Sequence, residues 1–247
     1  MKKILLFLSI ITLWSCSILK QSNKDNQTKF CQLAPPLGKQ FAFGEVRTLW
    51  KKDTIYYYYL GGTPLLQAKI DLLVTQWSDL GRIKFVRTNT RNQSQIRISF
   101  AKGGSWSYVG TDNLSIGKNY ATMQFGWLTD KSDDTEIRRV VLHEFGHAIG
   151  LQHEHQHPQS GIHWNKEAIY AEYAKYGWNR SMVDNNLFKT FDADQTNFTS
   201  YDPTSIMHYP IPKEHTTDGY SVGWNTTLSE NDKNWIKTYY PQKCICR

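Results

Sequence analysis

The spacing of apolar positions along this chain predicts its elements in order. The run "DTIYYYYL" (53–60) is β-branched and aromatic and predicts a strand. Leu66, Ile70, Leu73, Val74 and Trp77 then recur at helical spacing. They predict a helix from Pro64 to Gly81, capped by Thr63, with that face in the core. "RIKFVR" (82–87) and "QIRISF" (95–100) alternate as short strands do, and "SWSYVG" (105–110) and "YATMQFGWL" (120–128) predict two more. A second helix follows in "TEIRRVVLHEFGHAIG" (135–150), with Asp134 as its predicted cap and Gly150 as its stop. Beyond it turns dominate, with modest helices at "NKEAIYAEYAKYG" (165–177) and "SENDKNWIKTYYP" (229–241). The expected class is α+β: an N-terminal mixed sheet with two helices and a mostly irregular C-terminal subdomain. A cleft is expected between them, with the second helix along its floor.

The N-terminus departs from this pattern. "MKKILLFLSIITLWSC" has two lysines, an apolar stretch from Ile4 to Trp14, then Ser15 and Cys16. That stretch is too short to span a bilayer comfortably and has the layout of an export signal. "LWSC" resembles a bacterial lipobox, in which Cys16 would be lipidated and anchor the chain to a membrane. Trp14 is bulky for that slot, so ordinary signal cleavage and secretion is the alternative. The polar tract "KQSNKDNQTK" that follows reads as a tether.

The 247 residues, 40% hydrophobic and 14% aromatic, suffice for one sizeable core. The formal charge of +7 is scattered, without the Lys/Arg run of a nucleic-acid-binding arm, so no nucleic-acid partner is expected. In an exported chain thiols tend to pair. Cys244 and Cys246 are too close in sequence to bridge without strain, which leaves Cys31 with one or the other.

Candidate chemistry concentrates in "VVLHEFGHAIGLQHEHQHP" (140–158), which holds five of the eight histidines. Four residues advance a helix by about 400°, so His143 and His147 point the same way. Two imidazoles one turn apart suit a single tetrahedral zinc ion. Gly150 lets the backbone turn, bringing His153 round as a third ligand. Three neutral nitrogens leave one position open, the mark of a catalytic site. Glu144, beside the first ligand, is placed to take a proton from a zinc-activated water and pass it to a leaving amine as general acid/base. An accidental match to glycine and a third histidine at these offsets arises in about 1 in 10⁵ cases.

"HEFGHAIGLQHEH" matches the long zinc motif of the metzincin proteases, and Glu154 directly after the third histidine narrows the resemblance to the astacin family. "SIMHYP" (205–210) resembles the astacin methionine turn, and "GGSWSYVG" (103–110) resembles its substrate-binding edge strand. "LWKKDTIYYYYL" is similar to the strand that opens the mature domain, so the likeness spans roughly Trp50 to Tyr240. The resemblance implies an exported, monomeric zinc endopeptidase acting on proteins or peptides. Its alternative is a catalytically inactive, zinc-stabilised adhesin or peptide-binding module. It implies Met207 as a floor beneath the imidazoles and Tyr209 as a second catalytic residue that donates to the developing oxyanion. It also implies that Glu154 meets the mature N-terminus and that His208 is structural. His155 and His157 are expected at the surface or just behind the ligands.

Ser105 and Arg82 stand where astacins usually have cysteines, so both usual disulfides are expected to be absent. Related proteases are made latent by a prosegment side chain on the metal. Cys31, or less obviously Glu45, is a candidate for that role, alongside the disulfide reading of Cys31. The expected organisation is a signal at 1–15, a tether or short prosegment at 16–46 and a catalytic domain at 47–247.

Overall fold

The computed structural model describes residues 46–191 and 200–242. The expectations for the signal, for Cys16, for Cys31 and Glu45, and for Cys244 and Cys246 lie outside these residues. Strand β1 (Thr54–Tyr59) turns Ile55, Tyr57 and Tyr59 into the core while their neighbours face outward, the two-residue period of a strand. It is flanked by β2 (Lys84–Arg87) and β3 (Ile96–Ser99), both parallel to it. β4 (Trp106–Ser107) and β5 (Met123–Gln124) complete a mixed sheet of order β2-β1-β3-β5-β4. β5 runs parallel to β3, and β4 closes the edge antiparallel. The last two strands are far shorter than the alternation predicts. A 3-10 turn at Gly110–Ser115 ends the β4 side. On the β5 side the buried Arg97 of β3 donates from Nε to the Tyr120 carbonyl at 2.6 Å and from Nη2 to that of Ile116 at 3.0 Å.

Helix α1 (Pro64–Ser78) begins as expected, with the Thr63 side chain accepting from the Leu66 N–H. It ends three residues short of Gly81, and Leu73 is only half-buried. Asp71 on this helix accepts from the hydroxyls of Tyr57 and Tyr59, at 2.7 and 2.8 Å, which ties helix to sheet. Helix α2 (Asp134–Ile149) is capped by Asp133 rather than Asp134, the Asp133 carboxylate accepting from the N–H groups of Thr135 and Glu136. The neighbouring aspartate then sits in the first turn, where its charge favours the helix dipole.

The end of α2 is fastened from two sides. Trp50 Nε1 donates to the Ala148 carbonyl and the Tyr240 hydroxyl to that of Ile149, while Trp77 Nε1 adds a bond to the Leu142 carbonyl in mid-helix. Carbonyls at a buried helix end need such donors. Arg82 works beside them: it pairs with Asp53, donates to the Trp50 carbonyl at 2.7 Å and lies over the Tyr240 ring. At this position an ion pair and a ring contact cross-link the chain. Ser105, at the other, is buried and its Oγ accepts from the Gly126 N–H at 3.1 Å.

The C-terminal part contributes α3 (Lys166–Ala174), α4 (Arg180–Val183) running into a π-turn at Asp184–Phe188, and α5 (Glu230–Tyr239). The turn-rich pattern conceals α4, which is a single turn capped by Asn179. Two cores result. The larger joins the sheet, α1, α2, α5 and Met207; the smaller is built from Ile169, Tyr173, Val183, Leu187 and Tyr209. The histidine helix lies in the first and Tyr209 in the second.

Candidate metal centre

His143 and His147 leave α2 on one face, and the chain returns through Gly150, whose φ of +116° is strained for any residue with a Cβ. That turn delivers His153. Ligating atoms of the three imidazoles lie within 4.8 Å of one another, and the Nε2 atoms of His147 and His153 are 3.0 Å apart. Tetrahedral zinc with nitrogens at about 2.1 Å spaces them about 3.4 Å apart, so the cluster has the right size.

Two of the rings are oriented from behind. His143 Nδ1 donates to the Ile206 carbonyl and His147 Nδ1 to the Leu151 carbonyl, both at 2.8 Å. A carbonyl only accepts, so each Nδ1 carries the proton and each Nε2 presents a lone pair inward. Burial, then the neighbouring His147, holds His143 well below the usual histidine range, and burial holds His147 down to about 4. His153 is depressed too, by burial and by the other imidazoles. All three are neutral at pH 7, as metal ligands must be. His143 Nε2 is buried with no hydrogen-bond partner, an arrangement that is expensive unless a cation accepts the lone pair. The donors therefore fit zinc.

Met207 is buried at 1% exposure, its sulfur against Gly146 of α2. A Cβ on Gly146 would fall 2.4 Å from the Met207 sulfur, so the glycine inside "HEFGH" is what lets the turn approach. Glu144 is fully buried beside His143. The Tyr209 ring is centred 4.3 Å from that of His153 and 6.2 Å from that of His143. Beside His143, Arg139 and Tyr209 is a cavity of about 10 Å³, lined also by Trp224, whose ring lies over the Arg139 guanidinium at 4.0 Å.

His155 and His157 are buried, at 0% and 1% exposure, which excludes the surface alternative and leaves a place behind the ligands. Residues remote in sequence cover them: the π-turn accepts from His155, and the Tyr201 ring lies 6.0 Å from that of His157. His208 is structural as expected: its Nδ1 donates to the Tyr209 carbonyl and its Nε2 accepts from the Tyr201 hydroxyl. Glu154 accepts from the Asp202 N–H at 2.8 Å, and burial pushes its carboxyl up to about 8.

Asp232 escapes sequence reasoning altogether. Its carboxylate, 4% exposed, accepts from Ser205 Oγ at 2.7 Å and from the N–H groups of Ile206 and Ser229, both at 2.9 Å. It thereby ties the methionine turn to the start of α5. The available signal is Ser229-x-x-Asp232, a capping box that also reaches outward.

Three converging histidines, with a methionine packed against the helix that carries two of them, are the metzincin arrangement. The placement narrows further, because residues 43–240 match the family model described as Astacin, and the chain belongs to that family of zinc peptidases. Among solved structures, one of myroilysin is 46% identical with a TM-score of 0.77, covering 81% of this chain and 98% of that one. The hatching enzyme HCE-1 of Oryzias latipes, at 21% identity and a TM-score of 0.56, shares the fold; the match covers 80% of this chain and 96% of that one. Zinc metalloproteinase nas-39 of Caenorhabditis elegans is 27% identical over 187 residues, 68% of this chain and 18% of that protein. Tolloid-like protein 2 of Mus musculus is 28% identical over 193 residues, 75% of this chain and 16% of that protein. The chain thus spans under a fifth of these two relatives.

Proposed function

We propose that the chain is an exported zinc endopeptidase whose general acid/base is Glu144, with His143, His147 and His153 as the metal ligands. The observation that carries this reading is a fully buried carboxylate next to three neutral, convergent imidazoles. Zinc held there would supply Lewis acidity, lowering the pKa of the attacking water to roughly 7 and polarising the scissile carbonyl. Glu144 takes the proton from that water and delivers it to the leaving amine. The Tyr209 phenol donates a hydrogen bond to the developing oxyanion. An extended substrate adds to the antiparallel edge at Trp106–Ser107, its backbone pairing as another strand.

The test is casein clearing by the purified chain, with and without a chelator. Cleavage that the chelator abolishes and added zinc restores supports the proposal. A zinc-loaded, folded chain that clears nothing would favour an inactive binding module.

Export rests on the signal-like leader, and anchoring on Cys16. No helix among the described residues is long and apolar enough to cross a membrane. Cys16→Ser should move the protein from membrane to soluble fractions; a wild type already soluble would point to simple secretion.

A further inference from the structure

The catalytic reading leaves one buried histidine beside Tyr209 without a task. His155 is 0% exposed, and its ring lies face to face with that of Tyr209, centroids 4.4 Å apart and planes inclined by 26°. A second close ring neighbour of the phenol is His153, at 4.3 Å and 52°. Tyr209 is therefore flanked by a proposed metal ligand and by a second imidazole that belongs to no ligand set. His155 is itself held from behind. Its Nε2 donates to the Asn186 carbonyl at 2.9 Å, within the π-turn Asp184–Phe188. Gln156 pins that turn in place, its Nε2 donating to the carbonyls of Asn185 and Lys189, each at 3.0 Å. The remaining His155 nitrogen, Nδ1, is buried without a hydrogen-bond partner. What this side chain offers Tyr209 is a flat, fixed face rather than a proton path.

We infer that His155 is a positioning residue for Tyr209: its ring restricts the phenol to the plane from which it donates to the oxyanion. The inference rests on the proposed role of Tyr209. The physical ground is that a tyrosine ring slides along a parallel face easily but tilts away from it only by losing the contact. Backbone restraint is already present, since the Tyr209 carbonyl accepts from His208 Nδ1 at 2.6 Å. Ring orientation is what remains to be fixed, and His155 lies against the ring.

An aromatic contact of this kind corresponds to a change of roughly 3- to 10-fold in rate. The experiment is a double-mutant cycle in the full chain, with kcat and KM on a peptide substrate and zinc content measured for each variant. His155→Ala should lower kcat by that factor while leaving KM and zinc content unchanged. His155→Phe, which keeps a flat ring and loses the bond to Asn186, should recover most of the rate. In a Tyr209→Phe background, His155→Ala should have no further effect. If the alanine chain fails to fold, His155→Leu fills the space without offering a flat face and takes its place. A His155 effect that persists in full without the Tyr209 hydroxyl would overturn the positioning role, as would a His155→Phe chain no faster than the alanine one. Tyr209→Phe with wild-type kcat would overturn the donor role of Tyr209 itself, a separately visible failure that removes the inference with it.

Discussion

Replacing Asp232 by alanine should unfasten the methionine turn without touching a metal ligand. The carboxylate receives three hydrogen bonds, from Ser205 Oγ and from the N–H groups of Ile206 and Ser229. Alanine orphans the buried Ile206 N–H, at about 1–3 kcal/mol, and the half-buried Ser229 N–H at somewhat less. The lost carboxylate was itself unfavourable to bury, and burial raises its pKa despite those donors, which offsets part of the loss. A net destabilisation of about 3 kcal/mol follows, a large share of the ~5–15 kcal/mol that holds a domain folded. The damage should reach the metal, because the next carbonyl in the turn, that of Ile206, is the acceptor that orients His143. Loss of such a support typically weakens metal binding by about 10- to 100-fold. Urea unfolding in chelator measures the first effect free of metal linkage, and competition with a chromogenic chelator measures the second. A variant that loses under about 1 kcal/mol and binds zinc like the wild type would refute the reasoning.

Two further outcomes are expected. Burial holds the His208 imidazole down to about 4, against 6.5 for an unperturbed histidine. The folded state thus favours the neutral ring, so its contribution is complete above pH 6.5 and is lost as the pH falls towards 4. The metal-free urea midpoint of His208→Gln should fall less steeply across that window than the wild type's; parallel curves would contradict the assignment. Trp224 lines the cavity of about 10 Å³ beside His143, room for a single water. Trp224→Ala should raise kcat/KM about tenfold for peptides with a bulky side chain next to the scissile bond, and barely alter it for small ones. Unchanged peptide-library profiles would count against a size limit set by Trp224.

The parts of this molecule governed by local periodicity were legible in the sequence. The four-residue offset of His143 and His147, the apolar face of α1, and the Thr63 and Gly150 punctuation all depend on neighbours within a turn or two. What escaped depends on residues far apart. The burial of His155 and His157 depends on the π-turn at Asp184–Phe188 and on Tyr201, some 30 to 45 positions further along the chain. Asp232 looks like an ordinary helix-start acid until the methionine turn, some 26 positions earlier, packs against it. The Met207 floor was visible only through a family resemblance, since nothing in "SIMHYP" itself indicates that Gly146 lies opposite.

The central claim is that Glu144 does the proton work at a zinc held by three histidines, and Glu144→Ala tests it most directly. The carboxylate is buried beside His143 and is not among the three ligands, so its removal separates chemistry from metal binding. Metal analysis of the variant should return close to one zinc per chain, and casein cleavage should fall to background. A zinc-loaded Glu144→Ala chain that cleaves at the wild-type rate would contradict the account.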